Sequence, residues 1–215
     1  DDDDYENGDN NLAVTNNSSR IGFKGSEDLG GGLSAIWQIE SSIGVDENVN
    51  TQSLGSRNTF IGLKSASMGT ILAGRHDTPM KLLGRKVENF GDGLADSRNI
   101  LGAMDDSDGA SDWDLRTNNT IAYVSPSFSG LTVTAAYVTD WAVSSNASTG
   151  ETKVDDNETD AWSLNAIYEN GPLLLGAAYE KHNNYDEEES MWRVIAGYKI
   201  GNFGINGLYE STSSD

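Results

Sequence analysis

The side chains best suited to proton transfer are two histidines, His76 and His182, and the sequence contains no cysteine. His76 stands between Arg75 and Asp77, and an Asp–His pair of this kind could act as a general base. Neither histidine is accompanied by a nucleophile motif or a metal-binding triad. The sequence therefore disfavours catalysis, and the absence of cysteine excludes disulfides and thiolate metal sites.

Acidic residues are concentrated in three clusters, at 1–4, 105–114 and 186–189. Carboxylate oxygens suit Ca²⁺ or Mg²⁺, and the letters DDSDG make Asp106 and Asp108 a candidate pair of metal ligands. No glutamate follows them at the spacing that a calcium-binding loop requires. We therefore expect the clusters to be solvated surface loops, and we predict no metal and no other cofactor.

The longest connection between patterned segments, residues 78–116, combines apolar residues and glycines with acidic residues. Connections longer than about 15 residues are usually functional or disordered. This composition predicts a compact plug with a short helical turn near 94–101. Its candidate functional acids are Glu88, Asp92, Asp96, Asp105 and Asp106.

Basic residues in or beside the patterned segments are the candidate partners of these acids, namely Arg20, Lys24, Arg57, Arg75 and Arg116. Arg20 and Lys24 alternate with apolar residues and therefore lie on the polar side of their segment. Arg57 and Arg75 share a side with apolar residues. For such an arginine to reach the polar side, we expect a bulge near Gly74 or a position beyond the apolar band. Acids on a loop that faces bases on a wall produce a transverse field, which orients dipolar solutes and sorts ions by charge.

The elements that must position these residues are segments with two-residue alternation, which predicts β-strands. They lie at 18–27, 32–44, 57–65, 69–77, 117–125, 131–140, 159–169, 173–182, 190–200 and 203–211. Short turns rich in Gly, Pro and Asn alternate with longer polar connections at 45–56, 78–116, 141–158 and 183–189. This arrangement predicts an all-β antiparallel sheet with its long loops at one end, which is typical of a transmembrane β-barrel.

Six of the segments have a tyrosine on their apolar side, near a segment end. Amphipathic rings at such positions suit the boundary between a membrane and water. The predicted aromatic girdle consists of Tyr123, Tyr137, Tyr168, Tyr179, Tyr198 and Tyr209. In a soluble carbohydrate-binding β-sandwich these would be ordinary strand residues, and tryptophans such as Trp113 and Trp141 would be candidate sugar platforms.

The net charge of −20 argues against a nucleic-acid partner, whose phosphates would be repelled. The mean hydropathy is −0.50, and no apolar run approaches the roughly 18 residues that a membrane-spanning helix needs. Hydropathy does not exclude a membrane barrel, because lipid-facing and lumen-facing residues alternate along its strands.

Three stretches resemble Gram-negative general porins. Residues 19–45 read SRIGFKGSEDLGGGLSAIWQIESSIGV and resemble the second strand, turn and third strand of that family. Residues 56–79 read SRNTFIGLKSASMGTILAGRHDTP and resemble the fourth and fifth strands with the entry to the third loop. Residues 118–137 read NNTIAYVSPSFSGLTVTAAY and resemble the sixth and seventh strands.

The resemblance implies a sixteen-stranded barrel that forms a homotrimer in the lipid bilayer of the outer membrane and passes small hydrophilic solutes and ions by passive diffusion. Residues 78–116 would then be a third loop that folds inward and narrows the pore. Residues 1–17 would be an extracellular loop, and 1–215 a single partial barrel domain without the first and the last several strands. An outer-membrane barrel enzyme of the protease type and the soluble sandwich are the alternatives.

Overall fold

Ten strands and one short helix make up the described part of the chain. A computed structural model gives residues 18–44, 54–93, 95–97, 113–139, 159–184 and 187–214. The strands are β1 Arg20–Gly30, β2 Leu33–Ser42, β3 Thr59–Ser65, β4 Gly69–Asp77, β5 Arg116–Val124, β6 Leu131–Val138, β7 Asp160–Asn170, β8 Leu173–Asn184, β9 Glu187–Ile200 and β10 Phe203–Ser214. The helix α1 spans Pro79–Gly84.

All ten strands belong to one antiparallel sheet, in which each strand pairs with its neighbours in sequence. Two-residue connections such as 31–32 and 171–172 permit only antiparallel neighbours. The ten predicted strands and their antiparallel arrangement are therefore confirmed. Within the described ranges, no helix is both long and apolar enough to cross a membrane.

The long connection predicted at 183–189 is wrong, because β8 and β9 continue into it. Asn183 pairs with Glu188 and His182 with Glu189, so only residues 185–186 separate the two strands. The polar letters NNYDEEES concealed these strand ends, because residues beyond the apolar band of a barrel need not alternate.

The two faces of the sheet are chemically different. The outer face exposes large apolar side chains, among them Ile61 at 70%, Ile205 at 72% and Phe203 at 81%. An apolar surface of this extent is unfavourable in water, whereas lipid solvates it without a second protein layer. The inner face of the sheet combines polar residues such as Thr134 and Asn165 with apolar ones such as Ile195. The outer face therefore matches the lipid-facing side of a barrel wall.

Aromatic residues form two rows on the outer face. The row nearer the long connections contains Tyr137, Trp162, Tyr179, Trp192 and Tyr209, and the row nearer the short turns contains Tyr123, Tyr168 and Tyr198. Tyr198 pairs with Leu173, six residues before Tyr179 on β8, which separates the rows by about 20 Å along the strand. An apolar band about 25 Å tall is usual in outer-membrane barrels. This placement supports the girdle role of the tyrosines, which stays a prediction.

The described part of the connection 78–116 packs on the inner face of the sheet. Met80 and Leu83 of α1 are fully buried against a cluster that includes Ile167, Ala178 and Ile195 of the wall. Burial of side chains this size contributes about 1.5–3 kcal/mol each. The described part of the connection therefore lies against the inner face and is held partly by apolar contacts.

Helix α1 begins with a capping pattern that is visible in the sequence. Thr78 is the N-cap, its Oγ1 accepts a hydrogen bond from the Lys81 amide at 3.3 Å, and Pro79 follows in the first turn. The helix was missed because six residues are too few to show a helical period. Of the helical turn predicted near 94–101, only residues 95–97 belong to the described ranges.

Leu83 reaches the wall because Gly176 of β8 has no side chain. A Cβ at this position would lie 2.4 Å from Leu83 Cδ1 and 3.0 Å from Ile195 Cγ1. The neighbouring strand side chain and the helix would both have to move to admit a methyl group.

Gly176→Ala should therefore weaken the docking of α1 by about 1–3 kcal/mol, the usual cost of overpacking. The measurement is the midpoint of thermal unfolding in detergent micelles. Gly207→Ala is the matched control, because no atom lies within 4 Å of its Cβ position. Equal midpoints for the two variants would contradict the prediction.

Candidate functional site

Arg193 of β9 joins both ends of the connection 78–116 to the wall. Its Nη1 donates to Asp114 Oδ1 at 2.8 Å and to the carbonyl of Met80 at 3.3 Å. Its Nε donates to Glu210 Oε2 of β10 at 2.8 Å. The Arg193 side chain is fully buried, so these bonds replace water at donors that must be satisfied.

The charge balance around Arg193 makes the site sensitive to the loss of one partner. Burial raises the pKa of the Asp114 carboxyl above its ordinary value, and the Arg193 guanidinium opposes that rise. Removal of one member of a buried ion pair costs about 3–5 kcal/mol, because the remaining charge is left without compensation. Without Arg193, both Asp114 and Glu210 would lose the ion pair that each forms with it.

Two polar residues of β7 fix the start of α1. Asn165 Nδ2 donates to the carbonyl of Pro79 at 2.7 Å, and the Met80 amide donates to Ser163 Oγ at 3.1 Å. The first amides of a helix have no partner within the helix, so the hydroxyl of Ser163 supplies one. The wall thus determines where the connection begins its path inward.

The two histidines hold structural positions. His182 is stacked on Trp113 with a ring separation of 4.1 Å, its Nε2 lies 2.9 Å from Glu180 Oε1, and all three residues are buried. His76 Nδ1 lies 2.8 Å from the backbone carbonyl of Asp77 instead of its carboxylate. The Asp–His pair considered from the sequence is therefore not arranged as a general base.

One candidate wall base meets one candidate loop acid directly. Arg20 Nη2 of β1 donates to Asp92 Oδ2 at 2.8 Å, and Arg85 Nη2 lies 3.9 Å from Asp92 Oδ1. The Arg20 side chain is 42% exposed, so water weakens this pair. The contact links the connection to a strand far in sequence from β7–β9, on which α1 packs.

Two other candidate acids shape the connection itself. Glu88 accepts hydrogen bonds from the amides of Phe90 and Ser97 at 2.7 and 2.8 Å, and from the Ser97 hydroxyl. Asp96 is buried and accepts from the Asp92 amide at 2.8 Å. Partial removal from water opposes ionisation of Glu88, but the bonds from Ser97 and Phe90 outweigh it and hold its pKa below the ordinary value. Asp105, Asp106 and Asp108 lie outside the described residues.

Three candidate wall bases lie together near the loop-side ends of β2–β5. Arg57 Nε donates to Glu40, and Arg116 Nη2 lies 3.0 Å from Asp77 Oδ1. Arg75 lies within a register shift between Gly74 and His76, which is where the sequence predicts a bulge. The backbone of β3 approaches this point so closely that a Cβ on Gly74 would lie 2.4 Å from the Thr59 carbonyl.

Two of the five candidate bases, Arg75 and Lys24, form no ion pair with a described residue. Arg75 donates to the Ser56 carbonyl at 3.0 Å and to Asn118 Oδ1 at 2.8 Å, and both acceptors are uncharged. Lys24 is exposed on the inner face of β1, and the described ranges contain no polar partner for its side chain. Arg193, Asn165 and Asp114 were missed, because single polar residues in strands or loops do not reveal partners distant in sequence.

An apolar outer face and a charged loop that packs on the inner face are the features of part of the wall of a membrane β-barrel. The chain belongs to the Gram-negative porin family, whose model matches residues 1–215. This membership overturns the alternative of a soluble carbohydrate-binding sandwich.

Relatives with determined sequences or structures agree with this membership. Major outer membrane protein P.IB of Neisseria meningitidis serogroup A is 30% identical over 196 residues, which are 84% of this chain and 49% of that protein. An outer membrane porin protein of Bordetella pertussis is 28% identical over 203 residues, 90% of this chain and 49% of that protein. The anion-selective porin from Comamonas acidovorans has the same fold, with a TM-score of 0.67 at 23% identity, covering 92% of this chain and 58% of that one. The chain thus spans about half the length of the curated relatives it matches.

Arg193→Met should detach both ends of the connection from the wall, at a cost of about 3–5 kcal/mol. We expect a lower thermal midpoint in detergent and faster proteolysis within 78–116. Lys199→Met is the matched control, since it removes one positive charge from the same strand at an exposed position. A midpoint for Arg193→Met equal to that of the control would contradict the role assigned to Arg193.

Acid should loosen the turn built on Glu88. Its pKa in the folded protein lies below the ordinary value of 4.5, so its stabilisation is present above that pH and is lost as the pH falls through the folded pKa. Hydrogen-exchange protection at the Ser97 amide, corrected for the intrinsic rate, should fall from pH 6 to pH 3. In Glu88→Gln, the Ser97 amide should already be less protected at pH 6, and its protection should change little when the pH is lowered to 3. A decline of equal size in both proteins would show that another group is responsible.

Proposed function

We propose that this chain forms the loop-bearing part of a porin wall, through which small hydrophilic solutes and ions diffuse passively. The observation that carries the proposal is the docking of the described part of connection 78–116 on the inner face of a sheet whose outer face is apolar. Such a sheet separates lipid from water, and the docked loop reduces the width of the aqueous side. The location is the outer membrane of a Gram-negative bacterium, as family membership requires.

We further propose that additional strands complete a sixteen-stranded barrel and that three barrels form a homotrimer. The chain spans about half the length of its curated relatives. β1 and β10 are the edges of the described sheet, and lipid offers no hydrogen bonds to unpaired strand edges. Closure with further strands would satisfy both edges.

Residues 78–116 are proposed as the constriction loop and residues 1–17 as an extracellular loop. The proposed wall bases are Arg20, Lys24, Arg57, Arg75 and Arg116, and the proposed loop acids are Glu88, Asp92, Asp96, Asp105 and Asp106. The direct contact between Arg20 and Asp92 supports this assignment, because it joins the two sets at 2.8 Å. Glu88 and Asp96 act mainly by holding the shape of the loop.

The proposed mechanism involves no bond chemistry and no cofactor. The relatives in the comparison are porins or major outer membrane proteins, which supports a channel over a barrel enzyme. The environments of His76 and His182 also disfavour proton transfer to a substrate, since His182 is buried beneath Trp113. Transport would depend on the width and charge of the constriction.

Planar-bilayer recording of the full-length protein that contains this chain tests the proposed function. Insertion should produce ohmic conductance, and closure at high voltage should occur in three equal steps if the trimer is correct. Correctly folded protein that inserts without conductance would refute the channel. Steps in another number would refute only the trimer.

Arg75→Ala should shift the reversal potential in a KCl gradient toward cation selectivity. A single charge at 4 Å is worth about 1 kcal/mol in water, so the permeability ratio should change by up to about fivefold. Lys64→Ala is the matched control, because Lys64 is exposed near the short-turn end of β3. An unchanged potential in Arg75→Ala would remove Arg75 from the constriction.

A further inference from the structure

The connection 78–116 returns to the wall through residues 113–115, which we call the return limb. Its two ends are joined by a backbone hydrogen bond, because the Thr78 amide donates to the Leu115 carbonyl at 3.2 Å. Asp114 is bound to Arg193 by its side chain, and one attached residue still leaves the limb able to turn about that point. The contacts of Trp113 and Leu115, on either side of Asp114, therefore decide whether the limb stays flat against the wall.

Trp113 packs on an imidazole that the wall holds in place. Its ring is stacked on His182 of β8, with the ring centroids 4.1 Å apart and the planes inclined by 18°. His182 Nε2 lies 2.9 Å from Glu180 Oε1, and Glu180 faces the same side of β8 two residues earlier. All three side chains are fully buried. The indole therefore rests on a ring whose orientation is set by a neighbouring carboxylate.

The indole nitrogen shows that ring surface, and not hydrogen bonding, makes this contact. Trp113 Nε1 is buried and has no hydrogen-bond partner among the described residues. Burial of an unsatisfied donor opposes folding, so the stacked and packed surface of the ring is what holds Trp113 in place. A phenyl ring lacks this donor and should therefore serve equally well.

Leu115 covers the wall beside this stack. It packs on Val138 and Ala161, which are both buried, and Ala161 pairs with His182 across β7 and β8. The return limb thus covers a continuous part of the inner face from β6 to β8. The wall blocks movement on one side, so a limb that leaves this position moves into the lumen.

We propose that Trp113 and His182 form a latch, which holds the return limb on the wall and so keeps the pore at its full width. Glu180 positions the imidazole of this latch. The inference rests on the proposed channel function, because it assigns positioning residues to the constriction loop. Loss of the stack should let the limb enter the lumen briefly and block part of the ionic current.

Thiol modification measures how often the limb leaves the wall. The chain contains no cysteine, so Ala161→Cys places a single thiol in it, beneath Leu115. A charged methanethiosulfonate reagent, applied to the full-length protein in detergent micelles, reacts with this thiol only when local opening exposes it. Ala122→Cys is the reference probe for general loosening of the barrel, because Ala122 is buried in a separate cluster with Leu72 and Ala136. Mass spectrometry of the labelled peptides gives the rate at each position.

Trp113→Leu should raise the labelling rate at residue 161 by about two- to tenfold, the range that a stacked aromatic pair contributes. Trp113→Phe should leave the rate unchanged, because phenylalanine keeps the stacked ring. Trp162→Leu is the matched control, since it makes the same substitution one residue from the probe on the exposed outer face of β7. The rate at residue 122 should be the same in all of these proteins.

His182→Gln tests the same contact from the wall side. Glutamine can still bond to Glu180 but offers no ring to Trp113, so the labelling rate at residue 161 should rise to a similar extent. Combined with Trp113→Leu, it should give no faster labelling than the faster single variant, because both substitutions remove one contact. His182→Gln also keeps the inference testable if Trp113→Leu does not fold.

Planar-bilayer recording of the same variants connects the latch to transport. Trp113→Leu and His182→Gln should show brief partial closures from an unchanged fully open level. Trp113→Phe and Trp162→Leu should not show them. A general defect in the barrel would instead change the fully open level or the labelling rate at residue 122.

The outcomes separate this inference from the proposed function. Faster labelling at residue 161 together with partial closures, both absent in Trp113→Phe, supports the latch. A conducting channel in which Trp113→Leu and His182→Gln match Trp162→Leu overturns the latch and leaves the channel function intact. Faster labelling without partial closures, or with equal acceleration at residue 122, overturns it as well. Folded, inserted protein without conductance overturns the channel function and this inference together.

Discussion

The position of the inner loop depends on one buried guanidinium. Arg193 lies on β9, yet it binds the loop at its start through Met80 and at its end through Asp114. Glu210 completes the site from β10. Because a buried charge must keep all of its partners, these three points are fixed relative to one another. The apolar contacts of α1 then add to an arrangement that the ion pairs have already defined.

The two faces of the sheet have different roles because successive side chains of each strand point to opposite faces. Outward residues such as Ile61 and Ile205 remain exposed and suit lipid, whereas inward residues supply both the polar and the apolar contacts on which the loop rests. A wall of single thickness needs no conventional core, and the apolar cluster around Leu83 lies between loop and wall instead. Low overall hydrophobicity and membrane residence are therefore compatible in this chain.

The sequence predicted the strands well because alternation is a local signal, and it predicted the faces of Arg20 and Lys24 for the same reason. It failed where strands extend past the apolar band, as at 183–189, and where α1 is too short for its period to show. The sequence predicted a set of wall bases that faces a set of loop acids. Which base pairs with which acid, as Arg20 does with Asp92, depends on the path of the loop. Asp114 lies 79 residues before its partner Arg193 in the sequence, so the residues around either one do not reveal the contact.

The unequal attachment of the loop has a mechanical consequence. Buried bonds bind the loop to Arg193 of β9, whereas its contact with β1 is the partly exposed ion pair between Asp92 and Arg20. The attachment of the loop to β9 is therefore expected to be stronger than its attachment to β1. Exposed pairs contribute about 0–1 kcal/mol, comparable to thermal energy, and salt weakens them further. Concentrated salt would therefore weaken the contact of the loop with β1 more than its contacts with β9.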